Sequence, residues 1–142
     1  AAFAGLFLDE VAARVELRHY PADLPGTPLP AAAALFSGIR FAGLVLVVNL
    51  AMLPLVFTGI GAIALLLANA YLLSREFFEM AASRHMPLDD ARRYRKENSP
   101  AVFLAGLVPA ALALVPILNI AVPLFATAYF VHVFKLARAS SA

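Results

Sequence analysis

The sequence predicts an all-α integral membrane fold: a helical bundle with two Pro- and Gly-broken re-entrant hairpins, each half-penetrating. Three observations predict it. Hydrophobic residues make up 63% of the 142 residues and charged residues only 14%, against about 45–50% and about 25% in soluble domains. Two uncharged runs, 41–73 and 101–134, each exceed the roughly 20 apolar residues that one helical span needs. Each run is interrupted near its centre by residues that break helices.

Residues 5–20 read as an amphipathic helix. Leu6, Leu8, Val11, Val15 and Leu17 form its apolar side, and Asp9, Glu10, Arg14, Glu16 and Arg18 its polar side. Tyr20-Pro21 ends it, because the residue before a proline is pushed out of the helical region. Residues 21–30 hold four prolines and Gly26 and read as a loop. Residues 31–40 read as a short helical approach to the membrane. The abrupt apolar opening, without Met or a basic n-region, leads to the expectation that 1–142 is a single membrane domain forming the C-terminal part of a longer chain.

The first run breaks at Pro54-Leu55-Val56-Phe57-Thr58-Gly59-Ile60-Gly61, the second at Pro116-Ile117-Leu118-Asn119-Ile120-Ala121-Val122-Pro123. A straight helix of about 33 residues would be about 50 Å long, too long for a hydrocarbon core of about 30 Å without strong tilt. Two full crossings and a turn need about 40 residues. Two legs of about 15 residues, each about 22 Å long, fit a hairpin that enters and returns. Charge placement agrees. Basic residues precede the first run (Arg14, Arg18, Arg40), lie between the runs (Arg75 to Lys96) and follow the second (Lys135, Arg138). Hairpins place all of them on one face, as the positive-inside bias requires. Tyr71 and Tyr129, with Arg75 and Glu76, read as anchors at that interface.

Between the hairpins, residues 74–100 form the one strongly polar segment. It reads as surface helices separated at Met86-Pro87, the second starting at Leu88-Asp89-Asp90 with acids at its positive end. Leu66 to Tyr71 echoes Leu124 to Tyr129, each following a Pro-containing break. Repeated broken helices at matching places point to transport sites.

Several chemistries lack a carrier. Cys is absent, so there is no disulfide framework or thiolate chemistry. Gly59-Ile60-Gly61 continues into neither a phosphate loop nor a dinucleotide fingerprint. His19, His85 and His132 lack metal-ligand spacing. The net charge of +2 is too small and too dispersed for nucleic acid. Neither cofactor, metal nor catalytic residues are expected.

Three constellations remain. Gly5, Asp9, Glu10 and Arg14 could form an ion-pair network at a pore mouth, where an arginine fork meets a tetrahedral anion; the competing reading is a solvated i,i+4 pair. The two breaks bring Thr58, Gly59, Gly61 and Asn119 to depth, with freed N–H groups suited to an anion; the competing reading is that a re-entrant turn simply needs such residues. Ser74-Arg75-Glu76 with Glu79 reads as a headgroup anchor. Asn49 and Asn69 read as interhelical hydrogen-bond partners, and Arg92 to Lys96 as a site for anionic lipid.

Leu72-Leu73-Ser74-Arg75-Glu76-Phe77-Phe78-Glu79, Val102 to Gly106, and above all Val115-Pro116-Ile117-Leu118-Asn119 with its following proline resemble the CysZ-like family of bacterial inner-membrane proteins and the related etoposide-induced proteins. Gly5 to Arg14 is similar to the segment after that family's early membrane helix. The resemblance implies a passive sulfate permease or near relative, multi-pass in the inner membrane, homo-oligomeric, with lipid contacts and no ATP site. It also carries Gly5, Asp9 and Arg14 over as positions where the family has a glycine, an acid and a base. The alternative is a non-transporting scaffold or accessory subunit of a larger membrane complex, supported by the scarcity of charge inside the runs.

Overall fold

The computed structural model describes residues 2–28, 30–56 and 59–140. The order is α1 (Ala2–His19), α2 (Ala31–Val56), α3 (Gly59–Ser83), α4 (Leu88–Glu97), α5 (Ser99–Ala113), α6 (Pro116–Asn119) and α7 (Val122–Ser140). No strand occurs among the described residues, in agreement with the all-α expectation.

α1 ends where Tyr20-Pro21 requires, with Arg18 and His19 in the last turn beside the negative end of the helix dipole. Its buried side matches the apolar periodicity only in part: Leu8 and Val15 pack against the core as expected, but they do so around Ala12 and beside Glu16. Ala12 is fully buried and Glu16 is 5% exposed, whereas Leu17 is 68% exposed. An ionic partner described below pulls the polar edge inward. α4 starts behind Pro87 and carries Asp89 and Asp90 in its first turn and Arg95 and Lys96 in its last, as the sequence predicts.

The first apolar run forms two helices, α2 packed against α3. Its legs are longer than expected. α2 begins at Ala31 rather than near Phe41, and α3 continues past Leu73 to Ser83. No proline or glycine cluster interrupts 31–40 or 74–83, and a charge alone does not end a helix. At 26 and 25 residues the legs measure about 39 and 37 Å. Two helical segments, Ala32–Ala51 and Ile60–Ser83, are long and apolar enough to cross a membrane. With residues beyond the uncharged run included, each leg is long enough for a full crossing.

The second run breaks where the sequence places it. α5 ends at Ala113, the single turn α6 follows, and α7 begins at Val122. α5 and α7 pack on each other and both pack on α3, the central helix. Gly106 on α5 makes this close approach feasible: a Cβ there would lie 2.6 Å from Ser74 Cβ and collide with the Ala70 carbonyl. Small residues at such crossings let membrane helices approach closely.

The core sits at one end. Phe77, Phe78, Ala81, Ala82, Ala91, Val102, Ala126, Phe130, Val131 and Phe134 are buried together with Ala12. Phe78 meets Phe134 edge-on at 6.0 Å, and Phe77 stacks on Phe130 at 6.4 Å. Toward the tips the surface is apolar and uncovered: Leu46, Val47, Leu50, Ile60, Ile63, Leu114, Ile117 and Ile120 are all exposed, and none of Ala32–Ala51 is buried. Such an apolar surface belongs in lipid or against another protein.

Candidate functional site

Where the aromatic core meets the base of the hairpins, the charged residues gather into two knots. Arg84, directly after α3, centres the first; 3% of its side chain is exposed. Its Nη1 donates to Asp9 Oδ1 at 2.8 Å and its Nε to Glu16 Oε1 at 3.2 Å. Asp9 and Glu16 are two turns apart on α1, so they share a face. Glu16 Oε1 also lies 2.8 Å from His85 Nε2, and its Oε2 accepts from Gly26 N at 3.2 Å. Burial pushes the Glu16 carboxyl up, but the His85 hydrogen bond and the Arg84 charge together hold it below its ordinary 4.5. The 20–30 loop is tied in by Thr27 N donating to Arg84 O at 2.8 Å. A Cβ on Gly26 would stand 2.7 Å from Arg84 Cβ, so this approach requires glycine.

Glu79, 6% exposed, centres the second knot. Three guanidinium groups converge on it: Arg95 Nε at 2.9 Å, Arg92 Nε at 3.5 Å and Arg75 Nε at 3.6 Å. Arg92 Nε is buried without a hydrogen-bond partner, although its Nη1 donates to Asp89 at 3.1 Å. Glu76 is partly buried and interacts electrostatically with Glu79, Arg75 and Arg92. Three guanidinium groups thus face the carboxylates of Glu79, Glu76 and Asp89; forks of this kind, out of bulk water, suit a tetrahedral oxyanion. No group of three or more His, Asp or Glu able to hold a metal occurs among the described residues.

The sequence-predicted residues divide among several places. Arg14 and Glu10 pair at 2.6 Å on the surface, with side chains 78% and 58% exposed. Asp9 does not join them; it turns to Arg84. Gly5 lies in α1. Thr58 lies outside the described residues, Gly59 opens α3, and Gly61 is buried. Asn119 is exposed at the end of α6, on the second tip. Tyr71 is 46% exposed, while Tyr129 stacks on Phe125 at 5.5 Å. Asn49 Nδ2 donates to Val45 O at 2.9 Å, within its own helix.

Sequence reasoning missed Glu16, Arg84 and His85, and the partners that Arg92 and Arg95 give to Glu79. A local signal existed for one of them: acids seven apart on one helix face at Asp9 and Glu16. The pairing with Arg84 lies 75 and 68 positions away and has no sequence periodicity.

The family model described as sulfate transporter CysZ/etoposide-induced protein 2.4 matches residues 1–123. The chain belongs to that family. It is thus a CysZ-type membrane protein of a transporter family rather than of an enzyme family, as the resemblance implied. No curated protein and no solved structure matches this CysZ-type chain.

Proposed function

We propose that this CysZ-type protein passes a small oxyanion, sulfate, down its gradient across the bacterial inner membrane. The observation that carries the reading is the convergence of Arg75, Arg92 and Arg95 on the single carboxylate of Glu79, in a member of a sulfate-transporter family. An arriving dianion can compete with the carboxylates for those guanidinium forks. Gly5, Asp9, Glu10 and Arg14 form the outer approach in this reading, and the tips with Thr58, Gly59, Gly61 and Asn119 form the deep end.

The hairpins are read as half-penetrating. Supporting this, basic residues flank both ends of the first hairpin, at Arg40 and Arg75, and follow the second at Lys135 and Arg138. The ion pairs also gather the basic residues at one end. A homo-oligomer would cover the exposed face of α2 and bring several tips together.

Sulfate uptake into liposomes holding the full-length protein tests the reading. Gradient-driven, ATP-independent uptake is expected, with a large loss in Arg92→Gln and in Arg14→Ala. Absence of sulfate-dependent uptake by the wild type refutes it. The bare face of α2 also suits a scaffold that docks on a larger complex. Native mass spectrometry separates the two: a stoichiometric foreign partner supports the scaffold, a homo-oligomer the permease.

A further inference from the structure

A cleft of about 400 Å³ opens between the 20–30 loop, the α3–α4 turn and the end of α7, lined by Asp23, Leu24, His85, Lys135, Arg138 and Ala139. Its charges do not balance. Two permanent cations and an imidazole face one carboxylate. Lys135 is the decisive group: only 6% of its side chain is exposed, and its Nζ donates to Asp23 Oδ2 at 2.7 Å. An ammonium has three donors, and no second hydrogen-bond acceptor for this one is found among the described residues. The Tyr20 ring, 5.5 Å away, covers another side of it.

A buried cation with donors to spare is costly unless something pairs with it. Asp23 satisfies it only in part, since 51% of the Asp23 side chain faces solvent. Arg138 lies three residues beyond Lys135, on the same face of α7, and is exposed without an ion-pair partner among the described residues. The His85 ring makes a fixed wall, held by Glu16 at 2.8 Å and stacked on Phe134 at 5.5 Å. The rim is apolar at Leu24, 86% exposed, and at Ala139. Basic groups beside an exposed leucine are the two halves of a phosphate site at a membrane surface.

We propose that this cleft binds a phosphate-bearing ligand, whose tetrahedral anionic group takes the spare donors of Lys135 and the guanidinium fork of Arg138, with Asp23 as an internal competitor. The phosphate comes from a lipid headgroup or from free phosphate. The site is separate from the Glu79 knot, and its test reads binding rather than flux.

Full-length protein is exchanged into nanodiscs of phosphatidylcholine alone or with phosphatidylglycerol, and retained lipid is measured by native mass spectrometry. Inorganic phosphate is titrated calorimetrically into the phosphatidylcholine sample. Preferential retention of phosphatidylglycerol assigns the headgroup; saturable heat with phosphate assigns the free ion. Whichever probe binds, Arg138→Gln weakens it roughly tenfold, the worth of one charge-assisted hydrogen bond, and Asp23→Asn tightens it. Circular dichroism of both variants is compared with wild type; Arg138→Gln, on an exposed side chain with no ion pair among the described residues, carries the test by itself where Asp23→Asn loosens the 20–28 loop. Binding of neither probe, unchanged affinity in Arg138→Gln, or weaker binding in Asp23→Asn overturns the proposal.

Discussion

Replacing Arg84 by methionine keeps most of the side chain's volume and removes the charge that joins α1 to the end of α3. Among the described residues Glu16 then keeps His85 and Gly26 N as hydrogen-bond partners, in a site where 7% of its side chain is exposed. Removing one partner of a buried ion pair costs about 3–5 kcal/mol, because the other charge stays behind. Asp9, whose side chain is 29% exposed, rehydrates more readily, so the lower end applies: about 3 kcal/mol. Neutralising Glu16 as well removes the stranded charge. Arg84→Met/Glu16→Gln should therefore be more stable than the sum of the single effects implies, with a coupling of about 2 kcal/mol. Denaturant unfolding in one fixed detergent, carried through the full double-mutant cycle, measures both numbers. A single-mutant cost under about 1 kcal/mol with additive effects would refute the argument, because an exposed pair behaves that way.

Gly106→Ala should force α5 away from α3 and destabilise by about 1–3 kcal/mol, the usual cost of overpacking, measured by the same unfolding experiment. Arg14→Ala should change stability by less than about 0.5 kcal/mol, as exposed i,i+4 pairs do, so any loss of sulfate flux in that variant reports on transport and not on folding. The hydrogen bond and charge of Lys135 hold the Asp23 carboxyl below its ordinary 3.8. A depressed acid lends its stabilisation fully above its ordinary value and loses it as pH falls through the lowered one. Protection factors for hydrogen exchange across residues 20–28, corrected for the intrinsic rate at each pH, should thus be level near neutrality and fall under acid; in Asp23→Asn they should be low throughout.

The membrane class, the helical content and both breaks were legible in the residues. Few charges, long apolar runs and proline or glycine are local properties, and a helix or its interruption responds to them locally. α4 was equally legible, because Pro87, the acids after it and the bases at its end each act within one turn. The leg lengths of the first hairpin were not. Arg40 and Arg75 end an uncharged run, but the helices pass through both residues, since helicity depends on backbone hydrogen bonds and not on charge.

The candidate site was half visible. Arg75 and Glu79 are four residues apart and readable as a pair, as are Glu10 and Arg14, though the latter proves to be a surface pair. Asp9 was singled out without its partner Arg84, and the face of α1 that looked polar supplies Glu16 to the interior. By itself, then, the sequence determined where helices form and break, that they belong in a bilayer, and the family. Only the tertiary structure decided which charge meets which: Arg84 with Asp9 and Glu16, three arginines with Glu79, Lys135 with Asp23. Those pairings join segments far apart in the chain. Their strength comes from the burial created when α3 packs among α4, α5 and α7 while α1 lies on α7, and no local pattern encodes that burial.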